Sequence, residues 1–241
     1  MKTMGKTTGK TITSRHNPLI KRMREAIREH KEEIVIEGPK PVADAIANGW
    51  KAIAVLERDG NISAEAFDSI TETKNPQHVI GLFERPHASA KSILARRDTI
   101  AVALDGVQDP GNVGTIVRLA AAFDAAGVLL LPGCADAFGP KAIRSSAGAI
   151  LTVPVARLTL QELFDADVPL FATAMDGAAG DPPARNGVVI FGNEGAGVSA
   201  EVQRQAAKLA VTMSQRVESL NVAATAAILL ARSYALRYGV R

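Results

Sequence analysis

Three stretches of this chain concentrate groups able to bind and act on a polar organic ligand. The first, residues 105–122, reads DGVQDPGNVGTIVRLAAA. Gly106, Pro110 and Gly111 make a rigid turn, Asn112 is placed to cap the following helix, and Arg118 lies six residues on, in the helix's second turn. The second, FGNEGAGVS at residues 191–199, sets the Glu194 carboxylate between glycines whose backbone is open to close approach, with Ser199 as the next helix cap. The third, VTMSQRVESLNVAATAAILL at residues 211–230, puts Ser219 and Asn221 at the start of a helix whose Ala223, Ala224, Ala226 and Ala227 admit another backbone. Together they offer peptide groups, asparagine amides, a carboxylate, a hydroxyl and a guanidinium. That set suits an adenosine-like ligand and a polar acceptor, and it holds no cluster of metal ligands. Taken singly, each has a plainer reading: Asn112, Ser199 and Ser219 as caps, and Arg118 as a surface charge.

The distribution of other residue types narrows the chemistry. All four histidines, His16, His30, His78 and His87, fall in the first 97 residues. A catalytic later part therefore has no histidine base, no Ser-His-Asp triad and no histidine-ligated zinc. The single cysteine, Cys134, excludes a thiolate zinc cage and a disulfide framework, and within LPGCAD it reads as an inert small residue. Two glycine-rich segments are decoys. GKTTGKT at residues 5–11 lacks the spacing and preceding strand of a phosphate-binding loop, and Gly192 to Gly197 lacks the order of a dinucleotide fingerprint.

The elements that must carry these loops follow from length and rhythm. The 241 residues, 47% hydrophobic and 22% charged, fit one or two globular domains rather than a disordered or fibrous chain. No apolar run approaches the roughly 18 residues of a membrane span, and no secretory signal is legible, so a reducing cytoplasm is expected. Residues 1–97 carry 17 Lys/Arg against 12 Asp/Glu, and residues 98–241 carry 11 against 13. Nine of those bases crowd residues 1–31, a density suited to a polyanion such as RNA or to a solvated tail. Residues 18–30 read as an amphipathic helix through Leu19, Met23, Ile27 and His30. Apolar runs at 34–36, 52–56 and 79–83 then alternate with the helix-like PVADAIANG and SAEAFDSITET in a small α/β unit. The Pro-, Ala- and Arg-rich segment 85–98 places a domain boundary near residue 97. Beyond it, strands at 99–104, 127–131, 151–155, 169–175, 187–191 and 209–213 interleave with helices near 112–125, 140–148, 159–166, 199–207 and 220–238. That order predicts a mostly parallel α/β sheet covered on both faces. Lys141 and Arg144 read as a solvated helix face, with RNA contact as the alternative.

In order and spacing, N-x-G-x-x-x-R (Asn112, Gly114, Arg118), G-N-E-G-x-G (Gly192 to Gly197) and E-S-L-N-V (Glu218 to Val222) resemble the three signature motifs of the SpoU/TrmH family of RNA 2′-O-ribose methyltransferases. The resemblance covers roughly residues 98–240, and IVIEGPKPVADAI at 34–46 is similar to the small substrate-binding domain that often precedes the catalytic one. It implies a trefoil-knotted catalytic domain at 98–241, an RNA-binding domain at 1–97, S-adenosylmethionine as cofactor, no metal, and a cytoplasmic homodimer with its site near the subunit interface. By motif match, Arg118, Asn112, Glu194, Ser219 and Asn221 would be catalytic. Thr173, Ala174, Gly192, Asn193, Gly195, Val211, Met213 and Leu220 would hold the cofactor. Ribosomal RNA, 23S, is the substrate the resemblance favours, with transfer RNA or base methylation as alternatives. A guanidinium keeps its proton to above about pH 12, so Arg118 is expected to hold a phosphate or a developing alkoxide, with Glu194 or water taking the proton. One departure stands out: Val211-Thr212-Met213 replaces the Ile-Pro-Met of many relatives.

Overall fold

A computed structural model describes residues 11–70, 77–214 and 216–240. The GKTTGKT start through Lys10, with Lys2 and Lys6, and the end of SAEAFDSITET lie outside the described residues. The chain divides into two compact units, Met1–Pro86 and His87–Arg241.

In the first unit, α1 (Pro18–Glu29) starts at Asn17, whose side chain accepts the Leu19 N–H, and ends at His30 in the left-handed region. Its buried residues are Ile20, Met23 and Ala26, so the inner stripe is turned slightly from the one expected. There follow β1 (Glu33–Glu37), α2 (Pro39–Ala47), β2 (Ala52–Glu57), α3 (Ala64–Asp68) and β3 (Val79–Glu84). The three apolar runs form an antiparallel sheet in the order β1-β3-β2. Ile20 and Met23 of α1 and Phe67 of α3 share its core with Ile80 and Leu82 of β3.

The second unit begins with α4 (Ala90–Leu94), which sequence composition had marked as linker. Ser89 caps it, and Ile93 and Leu94 bury into the core of this unit. The units therefore part after Pro86 rather than near residue 97. A five-residue helix is too short to show periodicity. Then come β4 (Ile100–Asp105), α5 (Pro110–Ala122), β5 (Val128–Leu130), α6 (Pro140–Ser145), β6 (Val155–Arg157), α7 (Leu160–Phe164), β7 (Leu170–Ala179), β8 (Gly187–Gly192), α8 (Ala200–Gln205), β9 (Ala207–Ala210) and α9 (Val222–Tyr238).

The six strands order as β6-β5-β4-β8-β7-β9, and every pairing is parallel. All six residues of β4 and of β8 are buried, which is why these central strands read as unbroken apolar runs. Ala101, Ala103, Leu129, Val188 and Ile190 pack on one face against Ile93, Leu163 and Val202 from α4, α7 and α8. On the other face α9 packs against both α5 and β8. Two strands sit away from their expected places. Ala149–Leu151 makes a 3-10 turn after the left-handed Gly148, so β6 starts only beyond Pro154. At the sheet edge β9 occupies 207–210 instead of 209–213, and Thr212 and Met213 fall in the loop that follows.

Candidate active site

From β4 the chain winds outward through β5 and β6, then crosses to the other side of β4, where β7 forms first, β8 fits between it and β4, and β9 adds the outer edge. The order reverses between β4 and β8, and open α/β sheets bind ligands at the carboxyl ends of strands there. Asp105 pairs with Gly192 in register, so the first and second loops leave the sheet side by side.

The first loop enters α5 through Asp109, not Asn112 as its cap. Asp109 Oδ1 accepts the N–H groups of Gly111 and, at 3.4 Å, of Asn112. Lys141 Nζ lies 3.0 and 3.1 Å from the two oxygens of that carboxylate, which holds it below the usual carboxylate range, helped by the Gly111 N–H. Asp before Pro is a helix-start signal that could have located this cap. Relieved of capping, Asn112 donates through Nδ2 to Glu194 Oε1 at 2.8 Å and accepts Asn221 Nδ2 on Oδ1 at 3.3 Å. Asn221 in turn caps α9 by accepting the N–H groups of Ala223 and Ala224. One hydrogen-bonded relay thus joins all three loops. Partial burial works against the charged form of Glu194, but the Asn112 bond and backbone N–H groups at 194, 108 and 109 outweigh it. Its carboxyl therefore titrates below the ordinary glutamate range.

Gly114 faces α6 so closely that an added Cβ would lie 2.2 Å from the Ala142 carbonyl oxygen. Arg118 is exposed and makes no hydrogen bond or ion pair among the described residues. Six helical residues place it about 9 Å along α5 and roughly 120° around it from Asn112, so it stands apart from the relay.

The second loop is a closed turn. Asn193 and Gly197 exchange backbone hydrogen bonds at 2.9 Å, and Asn193 Oδ1 accepts the N–H groups of Gly195 and Ala196. At Gly192 a Cβ would sit 2.2 Å from Gly197 C and Val198 N. At Asn193 and Gly195, two of the residues expected to hold the cofactor, the Asn193 side chain and the Gly195 N–H are engaged in shaping the turn. Ser199 makes no side-chain cap; its N–H instead donates to Asp105 Oδ2 at 2.7 Å. Sequence reasoning missed Asp105, which has only its place at a strand end to mark it.

Thr173 donates to the Ile190 carbonyl at 3.2 Å and opens a bulge, because Thr173 and Ala178 both face Leu209 across the β7–β9 ladder. Ala174 and the 77%-exposed Met175 lie in that bulge. In the third loop Val211 and Leu220 are half-buried, while Met213, Thr212 and Ser219 are exposed. Asn221 caps α9 alone, and the Ser219 hydroxyl has no hydrogen bond among the described residues.

Residues 99–231 match the family model described as SpoU rRNA Methylase. The 23S rRNA (guanosine(2553)-2′-O)-methyltransferase of Bacillus subtilis is 37% identical over 180 residues, 70% of this chain and 69% of its own. The 23S rRNA (adenosine(1067)-2′-O)-methyltransferase of Streptomyces laurentii is 27% identical over an alignment of 259 positions that covers 92% of this chain and 94% of its own. Among solved structures, the AdoMet-bound rRNA methyltransferase from Sinorhizobium meliloti aligns with a TM-score of 0.84 at 30% identity, over 93% of this chain and 97% of that one.

Proposed function

The chain belongs to the SpoU rRNA methylase family, and from that premise we propose that it is an S-adenosylmethionine-dependent methyltransferase that methylates a ribose 2′-hydroxyl in 23S ribosomal RNA. The relay from Asn221 through Asn112 to Glu194 carries the reading, because it gathers the three loops at the strand-order reversal. The relatives' 23S substrates and the AdoMet-bound structure support substrate and cofactor.

The residues present fit such a cofactor. Thr212 to Ser214 and Arg216 to Leu220 lie outside helix and strand, and apart from the turn at Arg216 their N–H groups have no backbone partner among the described residues. Peptide donors there, the small Ala174 in its bulge and the side-chain-free Gly192 suit an adenosine held mainly by backbone, with Val211, Met213 and Leu220 as apolar walls. Thr212, where many relatives carry proline, adds one more N–H. When bound, the cofactor supplies a methyl on a positively charged sulfur.

The protein's own work is to align the attacking oxygen and to handle its proton. Glu194 Oε1 is held by Asn112, leaving the second oxygen to accept the hydroxyl's hydrogen bond. A carboxyl held low is a weak base, so Glu194 orients the hydroxyl and the proton passes to water. Arg118, apart from the relay and without a partner among the described residues, serves the RNA phosphate or the developing alkoxide by charge-assisted bonds. Its position and the exposed Leu236, Tyr238 and Val240 at the end of α9 support a homodimer in which two subunits complete the site. We assign RNA affinity to the first unit, whose bases crowd its first 31 residues, and cofactor binding to the second, in a cytoplasmic enzyme. Among the described residues no helix is long and apolar enough to cross a membrane, and no cluster of three or more His, Cys, Asp or Glu is placed to hold a metal.

Labelled S-adenosylmethionine, 23S RNA and DNA of the same sequence test the reading, with and without EDTA. Label should appear in RNA as 2′-O-methylnucleoside and persist in EDTA. Labelled DNA, or loss of transfer in EDTA, refutes it.

A further inference from the structure

We propose that Asp105 is a positioning residue for the turn that carries Glu194, so that the end of β4 sets where the reacting groups meet. The proposal rests on the methyltransferase reading and adds a residue to it. Asp105 closes β4 with 9% of its surface exposed. Its Oδ2 accepts the Ser199 N–H at 2.7 Å, and the carbonyl of the next residue, Gly106, accepts Asn193 Nδ2 at 2.8 Å. Two consecutive residues of the first loop therefore grip both ends of the second.

Between those grips the turn is self-contained. Its backbone pair, its Asn193 bonds and the tight approach at Gly192 make it move only as a body. A body held at two points has a fixed tilt. Without the Ser199 grip it is held only near its start, by Asn193 and by the Asn112 bond to Glu194, so it tilts about that end and Glu194 shifts with it. Two further observations single out the Ser199 grip. Among the described residues no side chain caps α8 and the buried Ser199 Oγ has no partner, so the acceptor at the start of α8 comes from Asp105, 94 residues away. An aliphatic residue at position 105 would bury without the cost of desolvating a carboxylate, so the bond to Ser199 is what the carboxylate is there to make.

The test uses the full chain and four variants: Asp105→Ala, Asp105→Asn, Ser199→Pro and the Asp105→Ala/Ser199→Pro double. Ser199 has φ −59° and ψ 150°, angles proline adopts, so Ser199→Pro deletes the N–H and keeps the backbone. Single-turnover methyl transfer should fall by about 10²-fold in Asp105→Ala and in Ser199→Pro, the scale of a misplacement near 1 Å, and the double variant should be no slower than either. Asp105→Asn, whose Oδ1 still accepts the N–H, should be at least about tenfold faster than Asp105→Ala. Amide exchange across residues 193–203 should quicken in Asp105→Ala and Ser199→Pro but not in Asp105→Asn. Asp105→Asn as slow as Asp105→Ala, or effects that multiply in the double variant, overturn the proposal. If the wild type transfers no methyl to RNA, the methyltransferase reading falls while amide exchange still reports on the Asp105 grip.

Discussion

Replacing Gly114 by alanine adds one methyl where α5 crosses α6. That Cβ would lie 2.2 Å from the Ala142 carbonyl oxygen and 2.8 Å from Ser145 Cβ. Ordinary contact begins near 3.5 Å, so the helices must part by about 1 Å. The obstacle is backbone, which no rotamer change relieves. Overpacking costs about 1–3 kcal/mol, and alanine's helix preference offsets about 1 of it. The net is about 0–2 kcal/mol, or a Tm lower by at most roughly 8 °C. The catalytic effect should be larger, because α5 carries Asn112 in its first turn and a shift near 1 Å at a reacting group costs about 10²-fold. Calorimetry and single-turnover methyl transfer, run well below Tm, separate the two. A Gly114→Ala protein that keeps its full transfer rate, or loses only what its unfolded fraction explains, would refute the view that this glycine sets the relay's position.

Three other outcomes follow from the same geometry. Asn112→Ala removes a bond that favours the charged form of Glu194, so the carboxyl should titrate higher than in the wild type, and so should any acid limb it gives the pH–rate profile; an unmoved carboxyl in an NMR titration contradicts this. Arg118→Lys keeps the charge and loses the planar fork, so transfer should fall about 10² to 10³-fold with cofactor affinity little changed; full activity at neutral pH would make Arg118 a plain surface charge. Arg237, 4% exposed in its side chain, bonds the hydroxyl of Thr99 and the carbonyl and carboxylate of Asp124, so Arg237→Ala should destabilise by at least about 3 kcal/mol in urea melts, and an unchanged midpoint argues against the clamp.

The sheet and loop sites were legible because apolar strands alternate with helices and because glycine, asparagine and proline punctuate the loops. Less visible was how the groups share their work. Asn112 reads as a cap until Asp109 is seen to take that post, and only then is its amide free for Glu194 and Asn221, 82 and 109 residues away. Asn193 reads as a ligand group, yet its oxygen folds its own loop. α4 escaped because five residues carry no period, and β9 slipped because an edge strand lacks the continuous burial that marks β4 and β8. Long-range pairings such as Asp105 with Ser199 have no local signature at all.

The tether between Arg237 and Thr99 spans 138 residues, and the relay closes only with Asn221. A ribosome makes the chain in one direction, so every strand of the catalytic sheet is synthesised before α9 exists to pack on α5. Meanwhile β4, which is buried along its whole length in the finished protein, waits for β8 with its apolar faces uncovered. The nascent chain is therefore both inactive and sticky until α9 emerges. Chaperone supply and synthesis rate should then govern how much enzyme a cell recovers.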